Sequence, residues 1–501
     1  MKVIKEKNAF GEFELTSTDV KHYIKKFRGH DFIWNNGVLY CYGSDKGYWV
    51  ADKEGLKMRD YIGGELYETL KEIYFQCYFD HLSADVRKRT EGRLLKLKTL
   101  PFQKEIVEKT KENFSSDDDI FDNNDSLLGF TNKVYDLNVG QFRKYRQSDM
   151  VSITTGYEWA EPTTQELNTI MELIKSIMPK EEERECYLRI LSTGLSGLVL
   201  EKFIILNGVG RNGKGLTNDL YLCALGNYGM IGNNSLLTEN SKMGANPEKS
   251  NIHKKRYVVF REPSSRVKFD NCAIKDLTGG GTFSARGLYQ SDTKKKYSLT
   301  CVVECNKKPS LAESPQVAEV ERVIDIQFRN TFTDKEEDID AEYGIYRSNP
   351  KFKELNFQLQ HRCAFLKILM DAYQRYTADQ CHLKIPKSIK ERSNEYLENS
   401  SELYQWILDT YEKTDNKKDM VKIKDMYSTF KTSDFYHDLS KSDRRKFNQD
   451  YFKKEIVENV FLRRHHQERQ EIDNVQYYNF LWGFKQKEYH LWDSEGQNIC
   501  I

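Results

Sequence analysis

A glycine-rich segment near the middle of the chain has the residue types and spacing of a phosphate-binding loop. Four apolar residues, Phe203 to Leu206, lead into it, and Lys214 comes directly after its last-but-one glycine. Glycines allow backbone N–H groups to turn toward an anion, and the lysine ammonium can reach the outer phosphates of a nucleotide. The segment therefore predicts an ATP-binding P-loop. Its residues are Gly208, Val209, Gly210, Arg211, Asn212, Gly213, Lys214, Gly215 and Leu216.

The same glycines also fit the spacing of a dinucleotide-binding fingerprint, Gly208-x-Gly210-x-x-Gly213. That alternative requires an acidic residue about 20 positions further on, to bind a ribose hydroxyl. The sequence there, GNYGMIGNNS, contains none. The P-loop is the favoured interpretation.

Three polar residues follow the P-loop, each beside an apolar segment that predicts a strand. Glu262 ends KKRYVVFRE, and a carboxylate at that place can orient an attacking water. Asn306 ends YSLTCVVECN, where its amide can contact the γ phosphate. Arg322 is expected at the start of the strand ERVIDIQF, facing the ATP of a neighbouring subunit. Together with Lys214 they form the predicted catalytic set.

Two positions depart from the usual magnesium-binding pattern of a P-loop. Gly215 stands where a Ser or Thr hydroxyl ordinarily holds Mg²⁺, and Arg261 stands where an acid is common. Asp219 is four residues after Gly215 and so lies on the same helix face. Our hypothesis from the sequence is that water fills the space at Gly215 and that Asp219 supports the magnesium ion through that water.

These residues need a parallel sheet to position them. Apolar segments at 203–206, 257–260, 299–305 and 323–328 alternate with helical or glycine-rich segments, which is typical of an α/β fold. Residues 1–160 predict a mixed α+β domain, residues 351–400 a helical linker, and residues 401–501 a winged-helix-like domain. In that last domain residues 443–466 predict one basic recognition-type helix, which can contact DNA or dock a protein.

Composition excludes several classes of protein. The 501 residues carry a formal net charge of +1, so any nucleic-acid site must be local. The mean hydropathy is −0.72, and no apolar run approaches the roughly 18 residues of a membrane helix. The ten cysteines contain no CxxC pair, and Cys301 and Cys305 are expected to be buried thiols. The sequence predicts a reduced, intracellular, soluble protein.

The segments GVGRNGKG, FREP, IKDLTGGGTFSARGLYQ, ECNKKP and RVIDIQF occur in this order. In that order they resemble the superfamily 3 helicases, and more narrowly the poxvirus-type and phage/plasmid-type primase-helicase family. LTGGGTFSARGLY is the most specific of them. Residues 123–157 resemble the domain that precedes the helicase in this family. The resemblance covers roughly residues 30–350.

The resemblance implies an AAA+ core over residues 161–350, using ATP and Mg²⁺ in a ring, usually a hexamer, that threads one DNA strand. It makes Lys214 the P-loop lysine, Glu262 the catalytic acid, Asn306 the sensor and Arg322 an arginine finger acting in trans. The segment YQSDTKKKY falls at the family's pore hairpin, so Lys294, Lys295 and Lys296 would contact DNA phosphates. A solvated lysine turn is the alternative.

Gly281 is a further departure, because the family often has an acid there. We expect a viral or mobile-element replicative helicase that binds single-stranded and forked DNA, in the host cytoplasm or nucleus. No primase domain is expected in this chain, so a separate primase or polymerase is the expected partner. The alternatives are a nucleotide-binding DNA clamp or loader with little hydrolysis, and another AAA+ DNA motor.

Overall fold

The computed structural model describes most of the chain, in two compact units, Met1–Trp159 and Ala160–Ile501. The described residues are 15–43, 45–116, 119–238, 247–279, 282–285, 293–414, 416–472, 475–487, 490–492 and 498–500. None of the helices in these ranges is long and apolar enough to cross a membrane. The domain boundaries expected at 350 and 400 stay predictions.

The first unit is mixed α+β. Its elements in chain order are α1 Ser17–Arg28, β1 Phe32–Asn35, β2 Val38–Gly43, β3 Tyr48–Ala51, α2 Leu56–Tyr61, α3 Tyr67–Cys77, α4 Ala84–Lys96, α5 Leu100–Phe114, β4 Ser115–Ser116, β5 Leu127–Gly129, β6 Val134–Asp136 and β7 Gln141–Arg143. The strands form two sheets, with orders β3-β2-β1-β4 and β5-β6-β7.

Local sequence explains how several of these elements begin and turn. Thr16 and Asp19 form a reciprocal capping box at the start of α1. Asn36 and Gly37 both have positive φ, as a two-residue turn between β1 and β2 requires. Residues 78–83 separate α3 from α4.

The second unit is larger and contains the glycine-rich loop. Its helices are α6 Thr164–Ile177, α7 Glu181–Thr193, α8 Lys214–Leu225, α9 Pro247–Asn251, α10 Asn271–Thr278, α11 Val317–Arg322, α12 Leu355–Ala378, α13 Lys387–Ser400, α14 Glu402–Thr410, α15 Ile423–Thr432, α16 Asp434–Asp438, α17 Lys441–Lys446 and α18 Gln449–Glu458. Its strands are β8 Phe203–Asn207, β9 Gly229–Gly232, β10 Tyr257–Arg261, β11 Thr282–Ala285, β12 Thr293–Lys296, β13 Thr300–Cys305, β14 Val323–Gln327, β15 Thr331–Thr333, β16 Ile345–Arg347, β17 Tyr411–Lys413, β18 Met420–Lys422, β19 His466–Ile472, β20 Val475–Trp482, β21 Phe484–Gln486, β22 His490–Trp492 and β23 Asn498–Cys500.

A five-stranded parallel sheet is the centre of the second unit. Its order is β14-β8-β13-β10-β9, and all four expected apolar strands are in it. Long buried apolar runs are typical of parallel strands, which are covered on both faces. Cys301 and Cys305 are buried on β13, as expected. Helix α12 packs against α6, α7 and α8, and α13 packs against β14.

The C-terminal part differs from the sequence prediction. Residues 443–466 do not form one basic helix, because α17 ends at Lys446 and α18 begins at Gln449. The Asn448 side chain accepts a hydrogen bond from the Tyr451 N–H, which caps α18 and separates it from α17. Strands β19 and β20 pair antiparallel, β18 lies on the other side of β20, and β21 pairs with β17 rather than with β20.

Candidate nucleotide-binding site

The glycine-rich loop connects β8 to the N-terminus of α8. Gly213 precedes the helix with φ of 87°, a left-handed conformation that favours glycine. A Cβ there would lie 2.6 Å from a side-chain carbon of Ile177. At Gly208 a Cβ would lie 2.7 Å from the Phe328 carbonyl oxygen. Both glycines are therefore required by close packing as well as by the turn.

Lys214 is buried at the first position of α8, with 2% of its surface exposed. Its Nζ donates to the Gly208 carbonyl oxygen at 2.9 Å and to Asn306 Oδ1 at 3.0 Å. Burial lowers the pKa of this ammonium, and the charges of Glu262 and Glu304 act in the opposite direction. An ammonium held inside the loop by two neutral oxygens is positioned to exchange them for phosphate oxygens.

Glu262 and Asn306 lie close together at the carboxyl ends of the adjacent strands β10 and β13. Glu262 follows β10 with φ of 42°, an uncommon value for a residue with a side chain, and its carboxylate accepts the Asn306 N–H at 3.3 Å. The Glu262 N–H donates to the Glu304 carbonyl oxygen at 2.7 Å. The fold thus brings together Lys214, Glu262 and Asn306, three of the four predicted catalytic residues.

The fourth residue, Arg322, does not join them. It ends α11 rather than opening the strand, because β14 begins at Val323. Val323 pairs with Phe203 at the start of β8. Arg322 therefore lies at the amino ends of the strands, and the glycine-rich loop lies at their carboxyl ends. Its Nη1 donates to the Ala318 carbonyl oxygen at 3.1 Å, and its buried Nε has no hydrogen-bond partner among the described residues. Arg322 therefore takes no part in the cavity of its own chain.

A polar cluster lies beside Gly215. Asp219 pairs with the Arg261 guanidinium, whose Nε lies 3.8 Å from Glu304 Oε2. The same Glu304 oxygen accepts a hydrogen bond from Asn218 Nδ2 at 2.9 Å. Sequence reasoning missed Glu304, although a lone carboxylate within the apolar run of β13 is an unusual feature.

These groups line one cavity of about 1200 Å³. On one side of it are α6, through Leu173 and Ile177, and on another are Phe332 and Tyr346. The two aromatic ring centroids are 6.3 Å apart. The Phe332 N–H donates to the Arg211 carbonyl oxygen at 2.7 Å, which ties β15 to the glycine-rich loop. Sequence reasoning missed both aromatic residues, because nothing in their spacing links them to a loop so far away in the chain.

The predicted DNA-contacting lysines lie in a short hairpin. The backbone of β12, which contains Lys294, Lys295 and Lys296, pairs antiparallel with β11. The side chains of these lysines, together with Gly281 and residues 286–292, lie outside the part of the chain that the structure describes. The contact of the lysines with DNA stays a prediction.

No group of three or more His, Cys, Asp or Glu side chains among the described residues could hold a metal ion alone. Mg²⁺ in nucleotide sites is ordinarily held by one or two carboxylates together with substrate phosphates. Glu262, Asp219 and Glu304, which all line the cavity, fit that requirement.

Part of the chain matches a known family model, and the chain has relatives in large DNA viruses. Residues 20–179 match the family model described as "D5 N terminal like". The chain is 28% identical over 328 residues to "Putative helicase L207/L206" of Acanthamoeba polyphaga mimivirus, covering 62% of this chain and 33% of that protein. It is 25% identical to "Putative helicase 121R" of Invertebrate iridescent virus 3, covering 67% of this chain and 38% of that protein.

A third relative is "Primase D5" of Fowlpox virus (strain NVSL), 26% identical over 62% of this chain and 42% of that protein. The matched region thus spans between a third and about two-fifths of these relatives' own length. Among solved structures, the A form apo structure of the NrS-1 C terminal region covers 76% of this chain and 89% of that one, at 11% identity and a TM-score of 0.39.

Proposed function

Because this chain belongs to the poxvirus-type D5 helicase-primase family of large DNA viruses, we propose that it is an ATP-dependent replicative DNA helicase. In this proposal its second unit is an AAA+ P-loop ATPase, and six copies form a ring around one DNA strand. ATP hydrolysis moves the ring along single-stranded DNA and separates the strands of a fork. The C-terminal winged-helix-like part docks DNA or a replication partner.

One observation carries the proposal. Lys214, Asn306 and Glu262 form a continuous chain of contacts at the mouth of the glycine-rich loop, at 3.0 Å and 3.3 Å. Each comes from a different, adjacent strand or its following segment: β8 leads to Lys214, β13 to Asn306 and β10 to Glu262. A phosphate bound by the loop would contact the lysine and the amide, and the carboxylate would lie beside them, where it can hold the attacking water.

The residues divide the chemistry among them. Lys214 and the loop N–H groups hold the β and γ phosphates in line for attack. Glu262 accepts a proton from the attacking water and orients it, while Asn306 donates an amide N–H to the γ phosphate. Mg²⁺ bound with the nucleotide neutralises phosphate charge. Phe332 and Tyr346 line the part of the cavity beyond the loop and are our candidates to hold the nucleotide base by stacking.

The remaining parts of the proposed motor are an arginine that acts between subunits and a basic hairpin that contacts DNA. Arg322, on the far edge of the sheet, acts on the ATP of the next subunit. The hairpin formed by β11 and β12 carries Lys294, Lys295 and Lys296 into the centre of the ring, where six copies form a basic collar for DNA phosphates. That collar explains how a nearly neutral chain binds DNA.

The first test is ATP hydrolysis with Mg²⁺, with and without single-stranded DNA, comparing the native chain with Glu262→Gln. We expect DNA-stimulated hydrolysis in the native protein and a loss of at least about 10²-fold in the variant, with ATP binding retained. Glu201→Gln, an exposed carboxylate just before β8, is the matched control.

Gly215 and Arg261 favour a second candidate, a nucleotide-binding DNA clamp with little hydrolysis, because both usual magnesium-binding groups are replaced. Native hydrolysis no faster than that of Glu262→Gln, with ATP still bound, would establish the clamp and contradict the helicase. If hydrolysis is present but a forked duplex stays intact, another AAA+ DNA motor is the correct interpretation.

A further inference from the structure

The sequence lacks the usual magnesium-binding groups at 215 and 261, and both positions lie next to Glu304. Arg261 and Glu304 are partners in the parallel pairing of β10 with β13. Paired residues of parallel strands lie at the same level, with side chains on the same face. A carboxylate is therefore present at the level where an acid at 261 would be, displaced by one strand toward β8.

Glu304 also reaches the position of the missing hydroxyl. A Cβ built on Gly215 would lie 3.1 Å from Glu304 Oε1. That contact is tighter than a side chain at 215 ordinarily tolerates, so glycine at 215 and glutamate at 304 fit each other. One side chain thus occupies the surroundings of both replaced positions.

Its carboxylate is held so that one oxygen stays available. Oε2 accepts from Asn218, whose own Oδ1 accepts from the buried Tyr257 hydroxyl at 2.7 Å. Oε1 has no hydrogen-bond donor among the described residues, and Glu304 lines the cavity although only 9% of its surface is exposed. The Arg261 guanidinium pairs closely with Asp219 and makes only a longer ion pair with Glu304, from Nε to Oε2 at 3.8 Å, which leaves Oε1 unengaged.

We propose that Glu304, through Oε1, binds the Mg²⁺ of the nucleotide or a water of its shell, in place of the groups lost at 215 and 261. The proposal rests on the proposed nucleotide site, and it gives Asp219 a different role from the one inferred from the sequence. Asp219 neutralises Arg261 and so prevents that guanidinium from capturing the Glu304 carboxylate.

The test measures metal binding directly. Mn²⁺ replaces Mg²⁺, and its affinity for the protein with a non-hydrolysable ATP analogue is followed by electron paramagnetic resonance. We expect Glu304→Gln to weaken Mn²⁺ binding at least about 10-fold, as the loss of a group next to a metal does. Affinity for a fluorescent ATP analogue without metal should not fall, because a negative charge near the phosphates has been removed. Glu201→Gln serves as control.

A reciprocal variant keeps the proposal falsifiable. Gly215→Ser in a Glu304→Ala background, where the short contact is removed, restores the usual hydroxyl and should recover part of the Mn²⁺ affinity that Glu304→Ala loses, whereas Gly215→Ser alone should lower the affinity because of the short contact. Should Glu304→Gln fail to fold, Glu304→Asp keeps the charge, withdraws it by one methylene and is expected to weaken Mn²⁺ binding in the same assay.

Mn²⁺ affinities of Glu304→Gln within twofold of the native value would overturn the proposal, as would a native complex that binds no Mn²⁺ with the nucleotide. The helicase proposal fails separately, through absent hydrolysis or absent strand separation. A protein that binds the metal of its nucleotide through Glu304 but does not unwind DNA would support the role of Glu304 and contradict the helicase proposal.

Discussion

At the scale of single residues, the glycine-rich loop depends on positions where a side chain has no room. Gly213 has φ of 87°, and a Cβ on it would lie only 2.6 Å from a side-chain carbon of Ile177. Gly210 has φ of 97°, but a Cβ on it would meet no heavy atom within 4 Å. The two glycines share a left-handed backbone, but only Gly213 has a close neighbour. Substituting each of them by alanine therefore distinguishes the cost of backbone strain from the cost of a steric clash.

Gly213→Ala is expected to destabilise the second unit by more than the roughly 1–3 kcal/mol of a strained backbone position, and to abolish nucleotide binding. Gly210→Ala should show only the strain. Chemical denaturation and binding of a fluorescent ATP analogue measure the two effects. Equal losses in the two variants would mean that Ile177 moves aside and that the close contact has no consequence.

At the scale of elements, α7 is fixed to α13 by a buried carboxylate. Glu183 is 2% exposed and accepts from Ser388 at 2.7 Å and from Arg392 at 3.1 Å. Burial alone would raise the pKa of Glu183, but the hydrogen bonds and charge of these partners lower it below its ordinary value of 4.5. A lowered pKa means that the folded state holds the charged form more strongly than the unfolded chain does.

Glu183→Gln should therefore destabilise the protein by about 3 kcal/mol at pH 7, because Arg392, whose side chain is only 13% exposed, loses its charged partner. The contribution of Glu183 is present above pH 4.5 and is lost as pH falls below that value toward the folded-state pKa. The difference in unfolding free energy between native and variant should narrow on acidification. Glu182→Gln, an exposed neighbour on α7, should show no such difference.

The same scale explains which parts of the fold could be predicted. The four central strands are long buried apolar runs, and such runs are recognisable in sequence. Lys214, Glu262 and Asn306 were predictable because each comes beside one of those strands. Glu304, Phe332 and Tyr346 were not, since their place at the cavity depends on strand order and on a contact between Phe332 and Arg211. The break at Asn448 escaped prediction because basic residues on both sides continue the helical pattern.

At the scale of the whole molecule, the position of Arg322 distinguishes a ring with ATP sites shared between subunits from an assembly in which each subunit hydrolyses ATP alone. A ring in which it acts on the next subunit predicts that Arg322→Ala lowers ATP hydrolysis by about 10³-fold while leaving nucleotide binding intact. Arg266→Ala, an exposed arginine elsewhere in the second unit, is the control.

Mixing two inactive variants gives the sharper measurement. A site that takes Glu262 from an Arg322→Ala subunit and Arg322 from a Glu262→Gln neighbour is intact, so mixed rings should recover part of the hydrolysis that each variant lacks alone. Light scattering confirms that both variants assemble. Absence of recovery in mixed assemblies would mean that Arg322 has no role between subunits.

Strand β13 connects the glycine-rich loop site with the lysine-rich hairpin. Its C-terminal end leads to Asn306, which contacts Lys214, and its N-terminal end follows the lysine-rich hairpin after only three residues, of which Tyr297 and Leu299 are buried. The six residues between them span roughly 17 Å and are clamped by neighbours on both sides. A strand held in this way transmits displacement rather than absorbing it. In the proposed helicase, β13 would act as a rigid link through which a movement at the γ phosphate reaches the hairpin that contacts DNA.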